Sequence, residues 1–262
     1  MKMMMGKKLK LIRLKIYKEL HKIYHKEILN KKFRFNNKKI NEVDPVTYLD
    51  LKFEKVIKKI IRGFFKDHNI VGEEFGSENL KSDYTWYIDP IDGTKSFLMG
   101  LPNWSSLIGL YHKSSPIFSM AYFPVLDKIY FTDKKNSYLR SNKNTKKIRV
   151  SKNTNIKKTK VAINTFKAIS DIKNFKKLKE LNGFYKITGA DSLNFCLISE
   201  GKIDVLIEKG LKKIDYMPLM HLLKNSGAII SDWKKKDKFS KGDVIVSSNK
   251  KVYQYFYKKL IK

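Results

Sequence analysis

Several things are scarce in this chain. Its 262 residues include a single cysteine, Cys196. One cysteine forms no internal disulfide and supplies no cysteine-based zinc site. It fits a reducing, cytoplasmic setting. Six prolines and 13 glycines are scattered, and no Pro/Gly/Ser-rich linker divides the chain. No apolar run reaches the ~18 residues that cross a bilayer, so no transmembrane segment is expected. The opening MKMMMGKKLKLIRLKIYKEL is interrupted by lysine too often to hold the apolar core of a signal peptide. Acid is short too, with 25 Asp and Glu against 56 Lys and Arg, a net charge of +31.

What remains is globular. Hydrophobic residues make up 42% and aromatics 13%, which excludes a disordered chain and gives ample material for a core. The length suits one large domain or two small ones. The positive charge attracts polyanions and keeps a nucleic-acid-associated protein open as a function class. Only Arg13, Arg34, Arg62, Arg140 and Arg149 among the basic residues are arginine, the side chain suited to bidentate phosphate recognition. The lysines are spread along the whole length, and an A/T-rich codon bias gives the same excess. The charge therefore reads first as composition and second as a binding surface.

The first thirty residues read as a lysine-rich amphipathic helix. Leu11, Leu14, Ile16, Leu20, Ile23 and Tyr24 form its apolar set, for docking on the core or on a membrane surface. Asp44-Pro45-Val46-Thr47 opens the next helix, and Thr47 with Asp50 has the form of a capping box. Leu49, Phe53, Val56, Ile57, Ile60, Ile61 and Phe64 follow on one helical face. Strands are expected at 69–72, 85–88, 105–112, 116–123, 127–132, 147–150, 160–164, 203–208, 228–232 and 243–247. Helices are expected at 170–181, 190–200, 215–226 and 250–261, with Pro218 in a first turn and Gly227 as a C-cap. Residues 135–158 read as an exposed connection. Strand runs followed by strand–helix alternation give a layered mixed α/β or α+β fold.

The chemistry concentrates in 70–104. Trp86-Tyr87-Ile88-Asp89-Pro90-Ile91-Asp92-Gly93-Thr94 is an apolar strand ending in two aspartates three apart. Pro90 removes a donor, so the strand is expected to stop there. Two hard carboxylates at a strand end suit an oxygen-liganded divalent cation. Gly93 lets the backbone approach a ligand, and the N–H groups from Thr94 onward can hold a phosphate. Asp-Pro and Asp-Gly are also ordinary turn formers. The His21/His25 pair reads as a helix face, and Cys196 as core.

The segment W-Y-I-D-P-I-D-G-T-K-S-F resembles the signature of the inositol monophosphatase superfamily of magnesium-dependent, lithium-sensitive phosphomonoesterases. Asp44-Pro45-Val46-Thr47 with Asp50 resembles its D-x-V-T-x-x-D element, and Gly72-Glu73-Glu74 its G-E-E. Ile214-Asp215-Tyr216 and Ser226-Gly227-Ala228 resemble its W-D-x-A and G-G segments. The likeness covers roughly residues 40–250. GLPNWSSLIGL, TGADSLNFCLISEGKIDVLIEKGLKKID and SDWKKKDKFSKGDVIVSSN resemble the bacterial histidinol-phosphate phosphatase branch. Thr188, Ser192 and Ile214 depart from that branch's usual residues.

The resemblance implies a layered αβαβα sandwich in a single unit, 1–262. Its N-terminal half, 1–140, would carry most metal ligands, and its C-terminal half, 141–262, Asp215 and the substrate contacts. It implies that Glu73, Asp89, Asp92 and Asp215 ligate Mg²⁺ with the Ile91 carbonyl, at two ions and a looser third. Glu73 and Thr94 would orient the attacking water. Asp50 is either a capping acid or faces the metal site. Gly93, Thr94, Gly189, Ala190, Asp191 and Glu208 would line the substrate with Asp92 and Asp215. Asp191 also reads as a helix N-terminal acid, and Lys95 as either a phosphate contact or a solvated lysine. The implied activity is hydrolysis of a small phosphorylated alcohol. L-Histidinol phosphate comes first, then inositol 1-phosphate or 3′-phosphoadenosine 5′-phosphate. A homodimer is the implied assembly.

Overall fold

The computed structural model describes residues 2–29, 48–163, 184–234 and 242–261. The Asp44–Thr47 element and the helix expected at 170–181 lie outside the described residues. Helix α1 spans Lys2–Ile23 and α2 spans Tyr48–Phe64. Strands β1 (Asn69–Gly72), β2 (Ser77–Glu78), β3 (Tyr84–Asp92), β4 (Ser105–His112), β5 (Ser115–Phe123), β6 (Lys128–Thr132), β7 (Ser137–Ser141) and β8 (Asn144–Ile148) form one sheet. Its order is β2-β1-β3-β4-β5-β6-β7-β8, and among these pairs only β1 and β3 run parallel. Strands β9 (Lys160–Ile163), β10 (Phe184–Ile187), β11 (Val205–Glu208), β12 (Ile229–Asp232) and β13 (Val244–Ser247) form a second, in the order β10-β9-β11-β13-β12.

Strand alternation sets the layers. On β5, Phe118, Met120 and Tyr122 point one way, and Ala121 and Phe123 the other. The first set meets Ile12, Ile16 and Leu20 of α1 and Phe53, Ile57 and Ile61 of α2. The second set meets a middle layer of α4 (Asp191–Ser199), α5 (Lys213–Tyr216) and α6 (Met220–Ser226). The second sheet repeats the device. Leu206 and Val246 face the middle layer, while Val205, Ile207 and Ile245 face Val252 and Phe256 of α7 (Lys250–Phe256). The order is helix, sheet, helix, sheet, helix, an αβαβα sandwich. A period-2 apolar run is a two-faced strand, and both faces need a cover.

Four sequence expectations change. Leu11 and Leu14 point outward, 50% and 44% exposed, and Ile12 is the buried residue beside them. The buried face of the helix begins one residue later than the expected set, at Ile12. β3 does not stop at Pro90 but continues to Asp92. Its register with β4 shifts between Asp89 and Asp92, and in such an irregular stretch a proline forfeits no ladder bond. Residues 135–158 are not simply a connection, for they contain the β7/β8 hairpin. Asn142 and Lys143 take positive φ in its turn, and its lysines hid the pattern. The helix expected at 215–226 is broken into α5, a 3-10 turn at Met217–Leu219 and α6. Pro218 lies in that turn, and Gly227 caps α6 at φ 95° as expected.

Candidate active site

The irregular end of β3 breaks the two-residue alternation, and Asp89, Pro90, Ile91 and Asp92 are all buried in succession. The Pro90 carbonyl accepts the Ser106 hydroxyl at 2.7 Å, which pins the bulge to β4. Because β1 lies parallel to β3 with Gly72 opposite Ile88, the residue after β1 emerges beside Asp89. That residue is Glu73, whose N–H donates to the Ile88 carbonyl at 3.2 Å. Asp215 joins from the other half on the short helix α5.

The four carboxylates feel one another. Burial pushes the Asp89 carboxyl well above its ordinary range, and Asp92, Glu73 and Asp215 push it further. Asp92 is pushed up to about 7 by burial and then by Asp191, with Ser192 hydrogen bonds pulling it partly back. Asp215 is likewise pushed up to about 7, by burial and then by Asp92. Packed like charges in a low-dielectric site give this direction.

Three of the acids have protein donors. The Ser192 hydroxyl and its backbone N–H both donate to Asp92 Oδ2. The Lys212 N–H donates to Asp215 Oδ2 at 2.7 Å. The Lys212 ammonium lies 3.3 Å from Glu73 Oε1. Asp89 differs, for its side-chain hydrogen bond is to another acid, Glu73. It is 2% exposed, and its Oδ1 is buried with no hydrogen-bond partner among the described residues. Among the described residues no three acids stand already arranged as a chelate. The carboxylates are gathered, but Asp92, Asp215 and Glu73 are turned to their own donors.

The donor set suits a hard divalent cation. Oxygen ligands predominate, one carboxylate oxygen is orphaned, and the mutual repulsion is what a cation would relieve. Glu73, Asp89, Asp92 and Asp215, with the Ile91 carbonyl, are the residues that could hold it. The Thr94 hydroxyl donates to that carbonyl at 3.1 Å, so Thr94 and Ile91 are tied together.

Gly93 takes φ 82°, a conformation glycine reaches without strain, and opens the five-residue helix α3 (Thr94–Leu98). No side chain caps this helix. Lys95, its second residue, is exposed. The Ser96 hydroxyl donates to the Gly189 carbonyl at 3.2 Å, and Asn103 donates to the Thr188 carbonyl at 3.2 Å. These bonds bring Gly189, Ala190 and Asp191 against the Asp92 loop. Asp191 lies in the first turn of α4, with Ala190 as N-cap. Glu208, at the end of β11, is 1% exposed and accepts the Asn194 amide at 3.3 Å. Asp50 is buried in the first turn of α2.

Sequence reasoning passed over Ser96, Asn103, Asn194, Lys212 and Glu54. The first four are ordinary polar residues on loops or helices. The partners of Ser96 and Asn103 lie 93 and 85 residues away, that of Lys212 lies 139 away, and that of Asn194 is on another element. Glu54 carried a signal, an acid one turn after Asp50 beside the apolar face of α2. Its carboxyl, raised by burial, accepts the Glu74 and Phe75 N–H groups.

Fold and site together define a layered α/β protein with an acid-lined centre. The inositol monophosphatase family profile matches residues 8–261, and the chain belongs to that family. A fructose-1,6-bisphosphatase/inositol-1-monophosphatase of Aquifex aeolicus is 32% identical over 209 residues, 78% of each chain. A Nus factor SuhB of Haemophilus influenzae is 26% identical, covering 83% of this chain and 82% of its own. An IMPase structure from Thermotoga maritima superposes with a TM-score of 0.74 at 25% identity, covering 97% of this chain and 94% of its own. The histidinol-phosphate branch expected from the sequence is not carried by these names.

Proposed function

We propose that this chain is a Mg²⁺-dependent phosphomonoesterase acting on a small alcohol phosphate. The observation that carries the reading is the orphaned Asp89 Oδ1 among acids raised by one another. Glu73, Asp89, Asp92, Asp215 and the Ile91 carbonyl would hold Mg²⁺, with Asp50 facing a looser site. When bound, Mg²⁺ supplies charge for the phosphoryl oxygens and makes water a nucleophile near neutral pH.

The chain's own residues do the rest. The Gly93 and Thr94 N–H groups bind phosphate oxygens. Thr94 holds the Ile91 carbonyl and orients the attacking water with Glu73. Glu73 accepts the water's proton. The water oxygen forms the new P–O bond, the ester P–O bond breaks, and the departing alkoxide takes a proton from solvent water while Glu73 gives up its own to solvent. Gly189, Ala190, Asp191 and Glu208 take the alcohol part, where two carboxylates suit hydroxyls or an ammonium.

L-Histidinol phosphate carries an ammonium and heads the substrate order. Inositol 1-phosphate follows, supported by the Aquifex relative's name. Phosphate release from both, and from 3′-phosphoadenosine 5′-phosphate, is measured with Mg²⁺ and with EDTA. Release from one or more, abolished by EDTA, is expected. No Mg²⁺-dependent release from any would overturn the reading.

A second reading rests on the +31 charge and on relatives named Nus factors. In it the basic surface binds nucleic acid, and steeply salt-dependent RNA binding is its test.

A further inference from the structure

We infer that Glu54 is a positioning residue that holds Glu73 in place from behind, and that residue 72 is glycine to make room for it. The inference rests on the metal reading above.

Glu54 is fully buried in α2, where an unpaired carboxylate is costly. It stands one helical turn after Asp50 and beneath the end of β1. Its Oε2 accepts the Glu74 N–H at 2.8 Å, and its Oε1 accepts the Phe75 N–H at 3.2 Å. Lys58 is the nearby cation, and its ammonium is bonded to Glu78. The Glu54 carboxylate is therefore aimed at backbone, not at a side-chain base.

The turn it grips is fully specified. The Gly72 N–H donates to the Gly76 carbonyl at 2.9 Å and the Glu73 N–H to the Ile88 carbonyl at 3.2 Å. The next two donors, of Glu74 and Phe75, go to Glu54. Four successive N–H groups thus have named acceptors, two on backbone and two on one buried side chain. Glu73 is held on one side by the strand that carries Asp89 and on the other by α2. By fixing the second half of this turn to α2, Glu54 helps to set how Glu73 is presented to Asp89.

Gly72 completes the device. A Cβ built on Gly72 would fall 1.8 Å from Glu54 Oε1. Any other residue at 72 and the carboxylate would contend for one space. The glycine and second glutamate of the Gly72-Glu73-Glu74 stretch thereby gain a physical reason. The glycine admits the clamp, and the residue after Glu73 offers it an N–H.

The test is Mn²⁺ titration calorimetry on the full chain and on Glu54→Gln, Gly72→Ala and the double variant. Glutamine keeps one acceptor and turns its amide donors toward a backbone donor. Outer-sphere positioning groups change metal affinity by about 10- to 100-fold, and a weakening of at least tenfold is expected for each single variant. The double variant should be little worse than the weaker single, because both remove one clamp. Amide hydrogen exchange at Glu74 and Phe75 should speed up. Thr132→Val serves as a remote control, for Thr132 is bonded to Ser119 and His221 far from the acids.

A folded Glu54→Gln chain with Mn²⁺ affinity within about twofold of wild type overturns the proposal. So does a weakening no greater than that of a Thr132→Val chain of equal melting temperature, which marks Glu54 as structural only. If Glu54→Gln does not fold, Gly72→Ala decides on the same criteria. A wild-type chain that binds no Mn²⁺ overturns the metal reading and this proposal together. Wild-type binding with unmoved variants overturns this proposal alone.

Discussion

Asp89 and Glu208 are both buried carboxylates near the ends of site-bearing strands, one in each sheet, and the protein treats them in opposite ways. Asp89, 2% exposed, leaves one oxygen without a hydrogen-bond partner among the described residues. Glu208, 1% exposed, is met by the Asn194 amide, which is itself met by the Thr188 hydroxyl. A buried polar atom normally finds a partner, and leaving one without costs about 1–3 kcal/mol. The eight-stranded sheet tolerates that cost at a point where three further carboxylates gather. In the five-stranded sheet Asp204, just before β11, also leaves its Oδ1 without a partner among the described residues, but it stands apart from any such gathering of acids and its other oxygen accepts the Lys160 N–H. On the proposed function, the difference between Asp89 and Glu208 would separate an acid kept for a cation from an acid fixed in direction for an ordinary hydrogen-bonding ligand.

The comparison breaks first at Asp92. Asp92→Asn should lower Mg²⁺-dependent phosphate release by about 100-fold or more, since a direct ligand matters at least as much as its outer-sphere partners. Its melting temperature should not fall, because a neutral amide relieves the repulsion that now raises Asp89. Glu208→Gln should leave Mn²⁺ affinity unchanged and alter KM. If the two variants moved the same quantity, the division between the sheets would be wrong.

A second prediction concerns stability. Mg²⁺ at a hundredfold excess over its Kd should stabilise the chain by about 2.7 kcal/mol, read in denaturant melts and erased by EDTA.

The pH dependence has opposite signs in two places. Asp92 and Asp215 sit at about 7 against an ordinary 3.8. The folded chain binds the extra proton, so the stability they give is whole below pH 3.8 and is lost as pH rises through about 7. His68 and His221 are held at about 4 against an ordinary 6.5, chiefly by burial. Their stability is whole above pH 6.5 and is lost as pH falls through about 4. Mg²⁺ should act on the acids alone. The difference between melts with EDTA and with Mg²⁺ should therefore grow as pH rises from 4 to 7. A difference flat across that range would mean the acids do not bind the ion.

The smallest effect is expected at Asn194. Asn194→Ala removes a neutral donor from Glu208, and KM should rise roughly 2- to 10-fold with kcat little changed.

The same contrast marks what could be read from the residues. Asp89, Asp92, Gly93 and Thr94 stand within six positions, so local spacing exposed them, whereas the Ile91 carbonyl came only with the family resemblance. The strand at 116–123 was legible, but its two faces show only in the packing of Phe118, Met120 and Tyr122 against Ala121 and Phe123. The Glu208 side was harder, because Thr188, Asn194 and Asn103 meet only after the chain has folded. Pro90 misled for a physical reason, since proline ends a regular strand but fits a bulge. Leu11 and Leu14 misled because lysine stems around them allow a helix to be read in more than one phase. Glu54 was visible but lay beside an apolar face, and only its aim at the Glu74 and Phe75 N–H groups gives it meaning.

The most direct measurement is Mg²⁺ binding by calorimetry at pH 6 in two buffers of different ionisation enthalpy. Acids raised to about 7 are largely protonated at that pH, and a cation that binds them must expel protons. The account expects saturable binding whose heat changes with the buffer, and loss of both in Asp92→Asn. Binding with no proton release, or no binding at all, would contradict the claim that this acid cluster is built for a divalent cation.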